Sequence, residues 1–338
     1  MWEALLEAGP GPYYAQLPEW MEAVSDHLHD DDSRWFVAED DEGPLVALPY
    51  QTSVRRQGPL RVRMLANERG VDGLAAPRLR PDPLRRALLA ASAADGEPID
   101  VLSLNGLRPG SAFIRLATAA STGLYAEVRH GGFSTIETRV TADEWMAAAS
   151  RNLRSGLRKA RNRFEARGTM TISEVTTPAE VEAAFEEYVA IEATGWKADS
   201  GALANQPVDR ALMRHLLVAC AATGQATVRM LRLDGRAVAG QLATIGAGTL
   251  VLYKVAYDEA HADLSPSNIL LADLITACCD RPDVDRIDLV TKQPWHERWQ
   301  AVAQPTYRTR DLNVRRPGGL VSRVGALLED AGVRLPTP

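Results

Sequence analysis

Cysteine is scarce in this chain: Cys220 and the adjacent Cys278 and Cys279 are the 3 in 338 residues. They form no CxxC spacing and have no partners at metal-ligand spacing, which excludes a zinc ribbon or a thioredoxin-type redox centre, and no metal is expected. Their apolar helical surroundings predict buried thiols in a reducing compartment. Long apolar runs are missing as well, since no stretch approaches the ~18 residues of a membrane span. The opening segment MWEALLEAGPGPYYAQLPEW carries acids where a secretory signal needs bases, so the expected location is the cytoplasm. Nor does one sign of charge dominate. Lys+Arg 38 against Asp+Glu 44 gives -6, a balance that advertises neither nucleic acid nor an acidic membrane for the chain as a whole. What is present is 46% apolar residues in a length that suits two domains.

Alternating runs such as RWFVAED, PLVALPYQTSV, IDVLSL, ATVRMLRL, AVAGQLATIG and TLVLYKVAY predict strands. Between them, PDPLRRALLAASA, DEWMAAASRNLRSGLRKARNRFEARG, PAEVEAAFEEYVAIEATGW, VDRALMRHLLVACAATG and SPSNILLADLITACC carry helical periodicity. The expected class is α/β (α+β). Two segments share an order of parts: strand, acidic or Asp-Gly turn, strand, Pro-opened helix, strand. Gly43 corresponds to Gly235, Val46-Ala47 to Val238-Ala239, Leu88-Leu89-Ala90 to Leu270-Leu271-Ala272, and Ile99-Asp100 to Ile287-Asp288. A degenerate tandem duplication follows, with a first domain over 1–140 and a second over 141–338.

The Pro-opened helices differ at their starts. A helix N-terminus presents unpaired N–H groups and partial positive charge, and so attracts anions. The first helix begins Asp82-Pro83, whose carboxylate satisfies those groups and repels a phosphate. The second begins Ser265-Pro266-Ser267-Asn268 and carries no charge, with Ser265 as N-cap, Pro266 at the first helical position, and Leu271, Leu274, Ile275 and Cys278 as the buried stripe.

Residues 151–167, RNLRSGLRKARNRFEAR, hold seven Lys or Arg and one Glu. Leu153, Leu157, Ala160 and Phe164 form an apolar stripe, and Arg151, Arg154, Arg158 and Arg161 a basic one. Two readings stand side by side: a solvated helix face, or a site for a polyanion, either cofactor phosphates or a tRNA acceptor stem.

DEWMAAASRNLRSGLRKARNRFEARG, EATGWKADSG, YKVAYDEAHADLSPSNILL and IDLVTKQPWHERW together resemble the GNAT superfamily of acyl-CoA N-acyltransferases. More narrowly they are similar to its BioF2-like/CelD-like acetyltransferase domain, a relative of the Fem aminoacyl-tRNA-dependent peptidyltransferases. The resemblance spans about residues 141–300, and PYYAQLPEWMEA is similar to the family's first segment. It implies tandem GNAT-like domains, each a mixed twisted sheet flanked by helices, the N-terminal one degenerate. It further implies that Tyr253, Lys254, Val255, Ala256 and Tyr257 line the cofactor's pantetheine arm and that Ser265, Pro266, Ser267 and Asn268 hold its phosphates. The family favours glycine where this chain has Ser267.

Amine acylation needs a neutral amine, a proton acceptor and oxyanion donors. Glu192 and Asp258 are the acid/base candidates, and the resemblance places Lys292 near the donor phosphate. By the same resemblance Trp196 and Lys197 bind the acceptor, with Arg154, Arg158 and Arg161 as further substrate contacts. His261 ranks below Glu192 as a base, and Trp295 and Trp299 read as packing. The expected activity is direct N-acyl transfer from acyl-CoA to a small-molecule or peptide amine. The alternatives are a Fem-like transfer from aminoacyl-tRNA, and a non-catalytic binding or scaffold protein, which would show no cleft beside Ser265.

Overall fold

The computed structural model of the chain describes residues 2–8, 14–28, 33–57, 60–67, 73–80, 99–114, 125–195, 201–312 and 317–319. It forms two units, one of Met1–Pro18, His29–Gly131 and Pro305–Pro338, the other of Glu19–Leu28 and Gly132–Gln304.

In the first unit, β1 (Ser33–Asp40) and β2 (Gly43–Gln57) make an antiparallel hairpin whose turn ends on Gly43 at φ 112°. β3 (Leu60–Asn67) pairs antiparallel with β2, and a short β4 (Leu74–Ala75) adds to the other edge of β2. β5 (Val101–Leu107) runs parallel to β3, and β12 (Val302–Leu312) antiparallel to β5. Alternation decides the burial. Val46, Leu48 and Tyr50 join Phe36, Leu65, Leu104 and Phe113 in one core, while Ala47 on the opposite face meets Leu5 of α1 (Trp2–Ala8).

The second unit repeats that plan. β8 (Ala226–Leu233) and β9 (Arg236–Gly246) form a hairpin on Asp234-Gly235, both at positive φ as a two-residue loop requires. β10 (Thr249–Tyr257) pairs antiparallel with β9, β11 (Arg286–Asp288) parallel with β10, and the end of β6 (Tyr125–Glu137) antiparallel with β11. β7 (Met170–Val175) pairs with β8 at the far edge. Each unit thus contains hairpin, antiparallel third strand, parallel fourth strand and antiparallel fifth, which gives the duplication read in the sequence a topological form. The helix expected over 82–93, with Asp82, lies outside the described residues.

Helix starts in the second unit follow local chemistry. Thr141 and Glu144 close a capping box on α3 (Ala142–Ala148), Ser150 caps α4 (Arg151–Arg167), and Pro178, Pro207 and Pro266 open α5 (Pro178–Glu192), α6 (Pro207–Ala222) and α7 (Pro266–Cys279). α7 is buried more widely than its single predicted stripe. Leu271, Leu274, Ile275 and Cys278 pack with Leu250, Leu252 and Ile287, while Ile269 and Leu270 enter a second cluster with Phe164, Leu231 and Val238. At about 2 kcal/mol per buried aliphatic side chain, these contacts fix the helix against the sheet. Arg229, buried on β8, adds ion pairs to Glu174 on β7 and to Asp273 on α7. The start of α7 is therefore held rigidly beside β10.

Candidate functional site

The ladder between β10 and β11 ends at Val251 opposite Asp288, yet β10 continues to Tyr257. Beyond Asp288 the chain leaves the strand through Val290, at φ 61°, whose N–H donates to Asp288 Oδ1 at 2.7 Å. The two strands splay, and a cavity of about 600 Å³ opens where they part. Residues 252–257 of β10 form one wall, Leu289, Thr291, Trp295 and His296 another, and Ser265 to Asn268 close one end. The register of β10 against β9 slips between Leu252 and Lys254, so Tyr253 is an extra residue at the splay. Its ring stacks on Trp20 from α2 (Pro18–Leu28) at 5.9 Å, and its hydroxyl lies 3.0 Å from Thr244 Oγ1.

Glu192, the last residue of α5, is 1% exposed and faces this cavity. Its Oε2 accepts the Leu203 backbone N–H at 2.8 Å, and its Oε1 accepts Tyr188 Oη–H and Lys254 Nζ–H, each at 3.3 Å. A buried carboxylate is tolerable only with such donors. Burial, followed by the Glu192 charge, raises the Tyr188 phenol well above its ordinary range, so Tyr188 stays a neutral donor. Lys254, 22% exposed, is the cation of the pair and lines the cavity.

At the other end, Ser265 stands at the expected N-cap position of α7 and its carbonyl accepts the Ile269 N–H, but its backbone is left-handed at φ 55° and its side chain makes no cap bond. The first turn of α7 contains no acid. Ser267 Oγ is buried without a hydrogen-bond partner. Arg163 Nη2 approaches Ser265 Oγ at 3.5 Å and Arg298 Nη2 donates to Asn268 Oδ1 at 2.5 Å, so two guanidinium groups flank the helix start. The arrangement suits a phosphate: N–H groups, an unused hydroxyl and two cations converge.

Of the residues singled out in the sequence, the cavity gathers Glu192, Tyr253, Lys254, Val255, Ala256, Tyr257, Ser265, Pro266, Ser267 and Asn268. Asp258 is placed differently: its Oδ1 caps the 3-10 turn over Glu259–Leu264 through Ala260 N–H, and its Oδ2 accepts from Arg236. It is outside the cavity lining, as is the exposed Lys292. His261 Nε2 stands 4.0 Å from Asp258 Oδ2. Arg154 is drawn back onto α3, donating to the carbonyls of Ala147 and Ala149 at 2.7 Å each, where it caps that helix end. Arg158 and Arg161 remain exposed on α4. Trp196 and Lys197 lie outside the described residues. Trp299 is packing, fully buried and stacked on Trp145, but Trp295 is 45% exposed and lines the cavity, against its reading as core.

Burial pushes the Cys220 and Cys278 thiols up to about 12, leaving neither as a nucleophile at neutral pH. Cys279 is only half-buried, less enclosed than expected. No group of three or more His, Cys, Asp or Glu among the described residues is placed to hold a metal ion.

His296 is 2% exposed and accepts the Gln293 N–H on Nδ1 at 3.4 Å, which assigns the proton of the neutral ring to Nε2. Burial lowers its pKa below the usual ~6.5. The unfolded chain therefore takes up this proton first as pH falls. The stability contributed by keeping the ring neutral is complete above pH ~6.5 and is lost progressively below it. Urea unfolding at pH 7.5 and pH 5 should show His296→Asn losing less stability on acidification than wild type, whereas equal losses would remove His296 from the acid sensitivity.

No curated protein matches the sequence. Residues 151–301 match the family model described as Acetyltransferase (GNAT) domain. Among solved structures, FemX is similar with a TM-score of 0.62 at 11% identity, covering 97% of this chain and 97% of that one. L-PGS from Bacillus licheniformis gives 0.57 at 14% identity, over 96% and 95% of the two chains. A C-terminal domain assigned to lysylphosphatidylglycerol synthetase in Agrobacterium fabrum gives 0.53 at 13%, over 92% and 96%. At such identities these structures establish a shared fold over nearly the whole chain. Splayed strands, an acid-free helix start and that match converge on one unit, in which residues 151–301 are similar to the GNAT acetyltransferase domain.

Proposed function

We propose that the protein is an N-acyltransferase that moves an acyl group from acyl-CoA to an amine of a small-molecule or peptide acceptor by direct attack. The observation that carries this reading is the single cavity joining the start of α7 to the Glu192–Lys254 pair along β10. Ser267, the N-terminal N–H groups of α7, Arg163 and Arg298 bind the cofactor's phosphates. Residues 253–257 line the pantetheine arm, and the exposed Trp295 ring offers a stacking surface at the cavity wall.

The acceptor nitrogen, neutral at attack, forms an N–C bond to the thioester carbonyl. Lys254 stabilises the resulting oxyanion with its ammonium group. The C–S bond then breaks, the nitrogen's proton passes to Glu192, and the departing thiolate is protonated as Glu192 returns that proton through solvent. The inert thiols at 220 and 278 support attack without a covalent enzyme intermediate. Asp258, which caps the neighbouring 3-10 turn, and the exposed Lys292 both stand off the cavity lining and take no step in this reading. Among the described residues no helix is long and apolar enough to cross a membrane.

A second reading, transfer from aminoacyl-tRNA, draws support from the exposed Arg158 and Arg161 on α4, which make no ion pair among the described residues, and from Ser267 standing where glycine would give a diphosphate more room. Thermal unfolding with coenzyme A separates the two. At about one hundred times Kd the ligand should add about 2.7 kcal/mol and raise the melting temperature by several degrees. No shift with coenzyme A, alongside tight salt-sensitive binding of charged tRNA, would transfer the assignment to the second reading.

A further inference from the structure

The first unit holds a charged feature that the acyl-transfer site does not use. From Pro44 to Asn67, β2, its turn and β3 contain four arginines and no aspartate or glutamate, in a chain whose net charge is -6. β1 stops pairing with β2 at Ser33 opposite Gln51, and β5 pairs with β3 only over Met64–Ala66. Val54–Gln57 and Leu60–Arg63 therefore pair with each other as a two-stranded ribbon beyond the ladders of β1 and β5, and Arg63 at its base is also bonded to Asp100.

On that ribbon Arg56 stands directly opposite Arg61, and Arg55 opposite Val62. Arg55, Arg56 and Arg61 are exposed, and none of them forms an ion pair among the described residues. Like charges facing each other across a ladder destabilise it. On the face that carries the facing pair, the core ends with Leu65 and Tyr50, while the ribbon is anchored from its other face by Val62 packed with Val101 and Met64. The guanidinium groups of Arg56 and Arg61, side by side on one face with Arg55 on the other, are instead complementary to adjacent phosphates, each of which accepts two parallel N–H bonds.

We propose that the β2–β3 ribbon docks on the phosphate backbone of a nucleic acid. A lipid surface is the poorer fit, since Val54 is the exposed apolar residue of the ribbon and its neighbours Gln51, Thr52, Ser53 and Gln57 are polar, whereas interfacial elements present aromatic or leucine side chains. The inference is independent of the acyl-transfer reading, which concerns residues of the other unit.

Fluorescence anisotropy with a labelled tRNA transcript and a labelled DNA duplex, titrated with the full chain across a salt series, tests it. Wild type should bind at least one of them with a steep salt dependence. Arg56→Gln/Arg61→Gln should weaken that binding about tenfold near 0.1 M salt and reduce the slope of log K against log salt by about 1 to 2. Its melting temperature should be unchanged or higher, since the facing charges are gone. Preference for the transcript or the duplex identifies the source of the phosphates. The proposal is overturned if wild type binds neither nucleic acid at low salt, if the double variant keeps wild-type affinity and slope, or if the chain binds phosphatidylglycerol vesicles alone.

Discussion

Lys254→Met should lose about 10²- to 10⁴-fold in kcat/KM for coenzyme A release and become less stable by about 3 kcal/mol. The two losses have different origins. Activity falls because the cation beside the reacting carbonyl is removed. Stability falls because Glu192, 1% exposed, loses the cation that its Oε1 accepts from, while Leu203 N–H and Tyr188 O–H stay in place. Glu192→Gln preserves an acceptor for Leu203 and removes the charge, so its activity should fall comparably with a smaller effect on stability. Combining the two changes should restore much of the lost stability, no buried charge remaining, while activity stays low. Urea unfolding and thiol-release kinetics on the four proteins measure both quantities. A double variant no more stable than Lys254→Met would deny the coupling, and full activity in Lys254→Met would remove the lysine from the mechanism.

Ser267→Asp is expected to separate helix stability from ligand binding. A carboxylate in the first turn of α7 interacts favourably with the helix dipole, worth about 0.3 to 1 kcal/mol, so the free protein should melt no lower than wild type. The same charge occupies the place proposed for the cofactor's phosphates, and coenzyme A should then bind at least about 100-fold more weakly, the cost of opposing an anion in a partly buried site. Ser267→Gly should do the reverse: slightly lower stability and equal or tighter binding. Calorimetric titration with coenzyme A reads the affinities. Wild-type affinity in Ser267→Asp would place the phosphates elsewhere.

The hairpins and α7 were legible because their signals are local. Asp234-Gly235 announces its own turn, and Leu271, Leu274, Ile275 and Cys278 keep the helical period of the face they bury. The tandem order of parts survived in topology even where few residues correspond. Features made by distant chain segments were not legible. Arg163 and Arg298 reach α7 from separate elements, Leu203 N–H meets Glu192 across a loop, and Trp20 meets Tyr253 from the other end of the chain. Conversely, the stripe of Arg151, Arg154, Arg158 and Arg161 looked uniform by spacing, but Arg154 serves the end of α3 and the contact to the α7 start comes from Arg163, two residues beyond the stripe. Ser265 was recognisable as a helix boundary, whereas its left-handed backbone carries no mark in a Ser-Pro pair.

The extra residue in β10 has a further meaning as a matter of reading frame. Leu250 and Leu252 enter the core beneath α7, and so does Val255, three positions later rather than two. Strand parity therefore changes once, at Tyr253, and Lys254 falls on the side facing α5 and Glu192 instead of among the leucines. Were Tyr253 to take its own rung in unbroken alternation, the same lysine would fall on the apolar face. At this point of the chain the slip of register, more than the kind of residue, keeps the charge in the cavity and out of the core.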